Sequence, residues 1–232
     1  MPSLERNLRA LAAGWLLAGL LGAPAAAVPI VGQLSLVGSV RFDADDIDFL
    51  PAGGGSGSFL GSDPTDGYFA GLSGTSGLAL DLNSAVHPVG VPFSLVSFLA
   101  FAVAPTLTFE LEFIQPGTFG SAQCGLAAAA GQVCTPAASS PFNFVNIPAG
   151  SDISSILSFS VLGTVTDGAN AGTFTGVYTA QFAGLSYQEV LATIASGGSL
   201  TASYSANFDV VPEPAVAALL GAGLAILALR RR

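Results

Sequence analysis

The sequence predicts an all-β fold: an antiparallel β-sandwich or barrel-like domain that carries one short helix. Two patterns point to it. Apolar and polar residues alternate with period two over long runs, as they do in strands with one buried face. Gly-rich punctuation separates those runs, and only one stretch has the spacing of an amphipathic helix.

Gln33 to Phe42 is the first expected strand. The Gly53-Gly54-Gly55-Ser56-Gly57 stretch that follows reads as a hairpin loop, because too little chain precedes it to form a separate core. Phe98 to Val103 and Thr106 to Phe113 come next. In the second of these, Leu107, Phe109, Leu111 and Phe113 share one face, while Thr108, Glu110 and Glu112 share the other. Phe142 to Ile147, Ile156 to Thr166 and Phe174 to Phe182 continue the series, with Thr166-Asp167-Gly168 as a turn. The helix opens at Ser186, with Glu189 three residues on forming a capping box. Val190, Leu191 and Ile194 make its apolar stripe, and Gly197-Gly198 ends it. It should connect the last two strands across one end of the sheet. In the final strand Leu200, Ala202, Tyr204, Ala206, Phe208 and Val210 alternate with five polar residues.

Both ends of the chain depart from this pattern. Met1 to Ala27 has the parts of a secretory signal peptide: Arg6 and Arg9, an apolar run from Ala10 to Leu21, and the cleavage site Ala25-Ala26-Ala27. At the other end, Val211-Pro212-Glu213-Pro214 is followed by fifteen uncharged residues, Ala215 to Leu229, and then by Arg230, Arg231 and Arg232. Fifteen residues make a helix of only ~22 Å, short of a ~30 Å hydrocarbon core, and the arginines favour the cytoplasmic side. The expected organisation is a signal peptide over 1–27, an exported domain over 28–210 and a tail with a short transmembrane helix over 211–232.

The tail resembles the PEP-CTERM sorting signal of exported proteins in Gram-negative bacteria. Pro212, Glu213 and Pro214 stand at that family's Pro-Glu-Pro, and Arg230, Arg231 and Arg232 form its basic end. The resemblance implies handling by signal peptidase and by an exosortase-type transpeptidase, a transient stay in the inner membrane, and delivery to the cell surface or extracellular matrix. It also implies a role linked to exopolysaccharide or biofilm. The phrases at 67–77, 120–125 and 186–198 are similar to a group of PEP-CTERM proteins from which no activity carries over.

Charge within the exported region is one-sided. Thirteen acidic residues from Asp43 to Asp209 face a single base, Arg41, for a net charge of about −12. Such a surface repels nucleic acid and anionic lipid. The two cysteines, Cys124 and Cys134, have nine residues between them, and an even count in an exported chain implies a disulfide pinning a long loop from Pro116 to Pro141. Their spacing suits neither a metal nor a Cys-x-x-Cys redox pair.

Candidate chemistry is sparse. Asp43, Asp45, Asp46 and Asp48 are the densest set of oxygen ligands, but they lack the glycine and glutamate of an EF-hand. They read as a solvated acidic turn, with calcium as the competing reading. Asp63 and Asp66 read as local Asx turns. Glu110 and Glu112 on one strand face could be taken for a glycosidase pair, yet such carboxyls must flank a sugar from opposite sides. His87, the only histidine, precedes Pro88, and no Gly-x-Ser-x-Gly elbow accompanies it. No cofactor and no enzymatic activity are expected. Tyr68, Tyr178, Tyr187 and Tyr204 could line a sugar-binding face, although sixteen phenylalanines against four tyrosines favour a core role for most rings. The leading expectation is a structural or interaction protein. A carbohydrate- or calcium-binding module is the alternative, and a secreted hydrolase is disfavoured.

Overall fold

The computed structural model describes residues 29–51 and 53–212. The expected signal peptide over 1–27, Glu213, Pro214, the expected transmembrane tail, Arg230, Arg231 and Arg232 lie outside the described residues. The strands are β1 (Gly32–Phe42), β2 (Asp46–Leu50), β3 (Ser56–Ser62), β4 (Ser76–Leu80), β5 (Leu82–Asn83) and β6 (Leu95–Phe101). They continue as β7 (Ala104–Ile114), β8 (Val133–Cys134), β9 (Asn143–Ala149), β10 (Asp152–Asp167), β11 (Asn170–Phe182) and β12 (Leu200–Val211). One α-helix, α1 (Tyr187–Ala195), lies between the last two strands.

Eight of these strands close into a barrel in the order β1-β3-β4-β6-β7-β10-β11-β12, each antiparallel to its neighbours. Because the eight follow one another along the chain, the architecture is up-and-down, and the first and last strands form the closing seam. The expectation of a sandwich or a barrel resolves to the barrel.

The interior is packed solid with rings. Tyr178 stacks on Phe159 with centroids 4.8 Å apart, and Phe49, Tyr204 and Phe208 surround the pair. Small residues opposite the rings make room for them. A Cβ at Gly38 would lie 2.7 Å from the Tyr204 ring, and one at Gly176 would lie 2.6 Å from that of Phe208. Alternating large and small inward residues is how a small barrel fills its taper.

Two long strands outrun the barrel wall. The first half of β1 pairs with β3, but from Ser39 to Phe42 its partner on that edge is β2. Likewise β10 pairs with β7 from Val161 onward, while its first half pairs with β9. Two flaps, β2–β5 and β9–β8, therefore stand above the wall at one pole, with no ladder joining them. At the opposite pole Gly32 pairs with Val210, so β1 begins and β12 ends side by side.

Several sequence expectations need correction. Residues 43–48 are not a single turn: Asp43 to Asp45 turn, while Asp46 and Asp48 lie on β2. The Gly53–Gly57 stretch does turn as a hairpin, with Gly53 bridged antiparallel to Ser56 over Gly54 and Gly55, both at positive φ. The bridge does not extend into a ladder between β2 and β3, which succeed one another along β1. Gly57 itself belongs to β3 and sits so close that a Cβ there would collide with the Phe49 backbone. Phe113 does not share the inner face of β7. A bulge places Leu162 opposite Phe113 and Gly163 opposite Leu111, and the extra residue, Glu112, hands the buried position to Ile114.

Candidate functional site

The gap between the flaps is a cleft of about 370 Å³. Five segments frame it. Asp43 to Ile47 come from the β1–β2 connection and the start of β2, Leu82 to Val89 from β5 and the chain beyond, and Ile114 from the end of β7. Pro136 to Phe144 supply the facing wall, and Leu191 and Ile194 of α1 close one side. The floor is aromatic. Phe142 packs edge-on against Phe42 at 5.8 Å and Phe159 at 5.9 Å, which separates the cleft from the barrel interior.

The helix is held in place by its cap and by one buried amide. Ser186 and Glu189 form the expected capping box. Asn146, buried on β9, accepts a hydrogen bond from the Tyr187 backbone N–H at 2.9 Å and donates to the Gln188 side chain at 2.9 Å. Gln188 in turn donates to Gln132 in the cysteine loop. These bonds tie β9, the loop and α1 into one wall. Cys124 and Cys134 are bonded, with Cα atoms 5.1 Å apart. Cys134 is fully buried on β8, so the bridge anchors the loop into the sheet as well as closing it.

His87 stands on the polar side of the cleft. Its Nδ1 accepts the Asn83 backbone N–H at 3.1 Å, which leaves the proton of the neutral ring on Nε2. The ring packs against Phe93 at 5.1 Å. Burial pushes its pKa down, so the neutral form is favoured.

The carboxylates are engaged locally. Asp43 accepts the backbone N–H groups of Asp45 and Asp46 at 3.0 and 2.9 Å. Asp46 accepts from the Asn83 side-chain amide, and Asp48 pairs with Arg41 on the neighbouring strand. Among the described residues no three carboxylate, imidazole or thiol groups converge closely enough to hold a metal ion. Asp81, absent from the expected site residues, accepts the Phe49 N–H at 2.8 Å, where β2 leaves the wall, and burial raises its pKa. Asp66 and Asp63 do not make the expected local turns. Asp66 accepts from the Gln33 N–H, and Asp63 from the Ser73 hydroxyl.

The other candidates are scattered. Glu110 accepts from Ser94 and Glu112 from Thr164, both beside the wall and not across a groove. Tyr178, Tyr187 and Tyr204 are buried, and Tyr68 alone is exposed, donating to Asp167 at 2.7 Å. No tyrosine-lined face exists among the described residues. Of Pro212, Glu213 and Pro214, the expected sorting residues, only Pro212 is described, exposed directly after β12. No described helix is long and apolar enough to cross a membrane.

The sequence signal that could have located the cleft was weak, because its residues come from five separated segments with no shared motif. No family model matches this chain, and neither a curated protein nor a solved structure is similar to it.

Proposed function

We propose that this chain is an exported component of the cell surface or extracellular matrix, with a structural or interaction role and no catalytic one. Residues 1–27 would be removed by signal peptidase. The tail over 211–232 would hold the protein briefly in the inner membrane through its short helix, until an exosortase-type enzyme acts at Pro212, Glu213 and Pro214.

One observation carries the reading: β12, the strand that closes the barrel, makes its last ladder pair directly before Pro212. The last ladder pair of β12 is Val211 with Thr173, and Pro212 follows exposed. Processing after that point leaves every ladder pair of the described barrel in place. The front boundary behaves alike, since Ile30, buried and donating to the Ala171 carbonyl, lies beyond the expected cleavage after Ala27. Both ends leave one pole, so a membrane-held protein would point its cleft outward, roughly 25–35 Å away along the tilted strands. A solid interior and buried tyrosines favour a scaffold over a lectin-like face, with exopolysaccharide as the expected neighbour.

Expression with and without an exosortase, followed by intact mass, tests the route. The expected product in exosortase-positive cells lacks Arg230 to Arg232. A mature protein still ending at Arg232 in those cells would refute it.

A further inference from the structure

We propose that the cleft between the two flaps is a binding site for a neutral small molecule with an apolar body and one hydrogen-bond-accepting oxygen. This stands apart from the export route and would hold whether or not the tail is processed.

The cleft follows from the topology. Because β3 and β7 stop pairing below the flaps, nothing in the ladder fills the space between β2–β5 and β9–β8. Its volume, about 370 Å³, lies within the range of small-molecule pockets, and barrel mouths are frequent places for them. Ile47, Leu82, Ile114, Phe142, Leu191 and Ile194 give it an apolar wall drawn from distant parts of the chain. Leu191 and Ile194 are only partly buried, so the helix turns apolar side chains into the opening where a polar pair would otherwise serve.

Charge and hydrogen bonding select the ligand's head. His87 has its Nδ1 satisfied by Asn83, so what it offers the cleft is the Nε2–H donor, which has no partner among the described residues. An ammonium brings only donors and cannot use that group. A carboxylate could use it, but Asp43, Asp45 and Asp46 in the lining repel an anion, and none of the described residues that line the cleft is a cation to offset them. A neutral carbonyl, ether or hydroxyl oxygen fits both conditions. The Phe93 contact and the Asn83 bond fix the ring, so its donor is already oriented before binding.

The single histidine provides its own reporter. With the full chain, the imidazole resonances of His87 are followed while cyclohexanone, cyclohexanecarboxylate or cyclohexylammonium is added. Cyclohexanone should give a saturable shift, with each charged analogue binding about tenfold or more weakly. Methyl resonances of Leu191 and Ile194 then follow cyclohexanone binding to His87→Ala, expected to weaken about three- to tenfold for one lost hydrogen bond. Leu191→Trp, confirmed folded by its thermal midpoint, should fill the cleft and abolish the shift. The proposal is overturned if cyclohexanone gives no saturable shift, if cyclohexylammonium binds more tightly than the ketone, or if folded Leu191→Trp binds it undiminished.

Discussion

Tyr178 and Tyr204 bring phenol hydroxyls into the packed interior, and neither hydroxyl has a hydrogen-bond partner. Burial pushes both pKa values up, because the charged form has no solvation there. A buried donor without a partner costs about 1–3 kcal/mol, so removing it should help. Tyr204→Phe is expected to raise stability by about 1 kcal/mol in urea denaturation, and a clear loss would mean that the hydroxyl has a role in packing. His87 gives a second test. Its folded pKa lies below the unfolded value near 6.5, so the unfolded chain binds the proton first as pH falls. The contribution is full above about pH 6.5 and is lost as pH falls through the lower folded pKa. Urea midpoints measured downward from about pH 8 should show this decline, and His87→Gln should flatten it in that window. Neither expectation was legible in the sequence. Alternation marks Tyr204 as inward, but whether its hydroxyl finds a partner depends on Gly38 and Phe49 across the barrel.

The elements that were easiest to read are those whose two faces differ most. In β12 every second residue is buried from Ala202 to Val210, and α1 carries the full capping box. β3 and β4 were missed because Ser-Gly steps give them little side-chain signal, although backbone pairing holds them in the wall. The Asp46-Ile47-Asp48-Phe49 alternation was present but was outweighed by its charge, which the Arg41–Asp48 pair and Asn83 offset in the fold. The 115–142 connection contains one two-residue strand and depends on the disulfide and the Asn146 bonds. Replacing Cys124 and Cys134 together by alanine should cost about 2–3 kcal/mol. Differential scanning calorimetry would measure it. An unchanged midpoint would show that the loop is held by its hydrogen bonds alone.

For the whole molecule, the fold class and the one α-helix among the described residues were legible, whereas closure and the cleft were not. Alternation reports which residues face inward, but it does not say which strand pairs with which, and the flaps exist only through the partner changes along β1 and β10. The ends of the barrel at Ile30 and Val211 make a quantitative prediction: a chain of residues 28–212 should melt within about 2 °C of the same chain with its tail. A much lower midpoint would mean that the tail packs on the barrel. The β1–β12 seam has a consequence for folding while the chain is still emerging. A chain emerging N-terminus first lacks the strand that shuts the wall until residue 211 is clear, so β1 and β11 wait as two bare edges. Bare edges recruit strands from other molecules. The yield of this protein should therefore depend on how quickly its last strand is delivered, and crowding at the exit should do more harm than any modest loss of final stability.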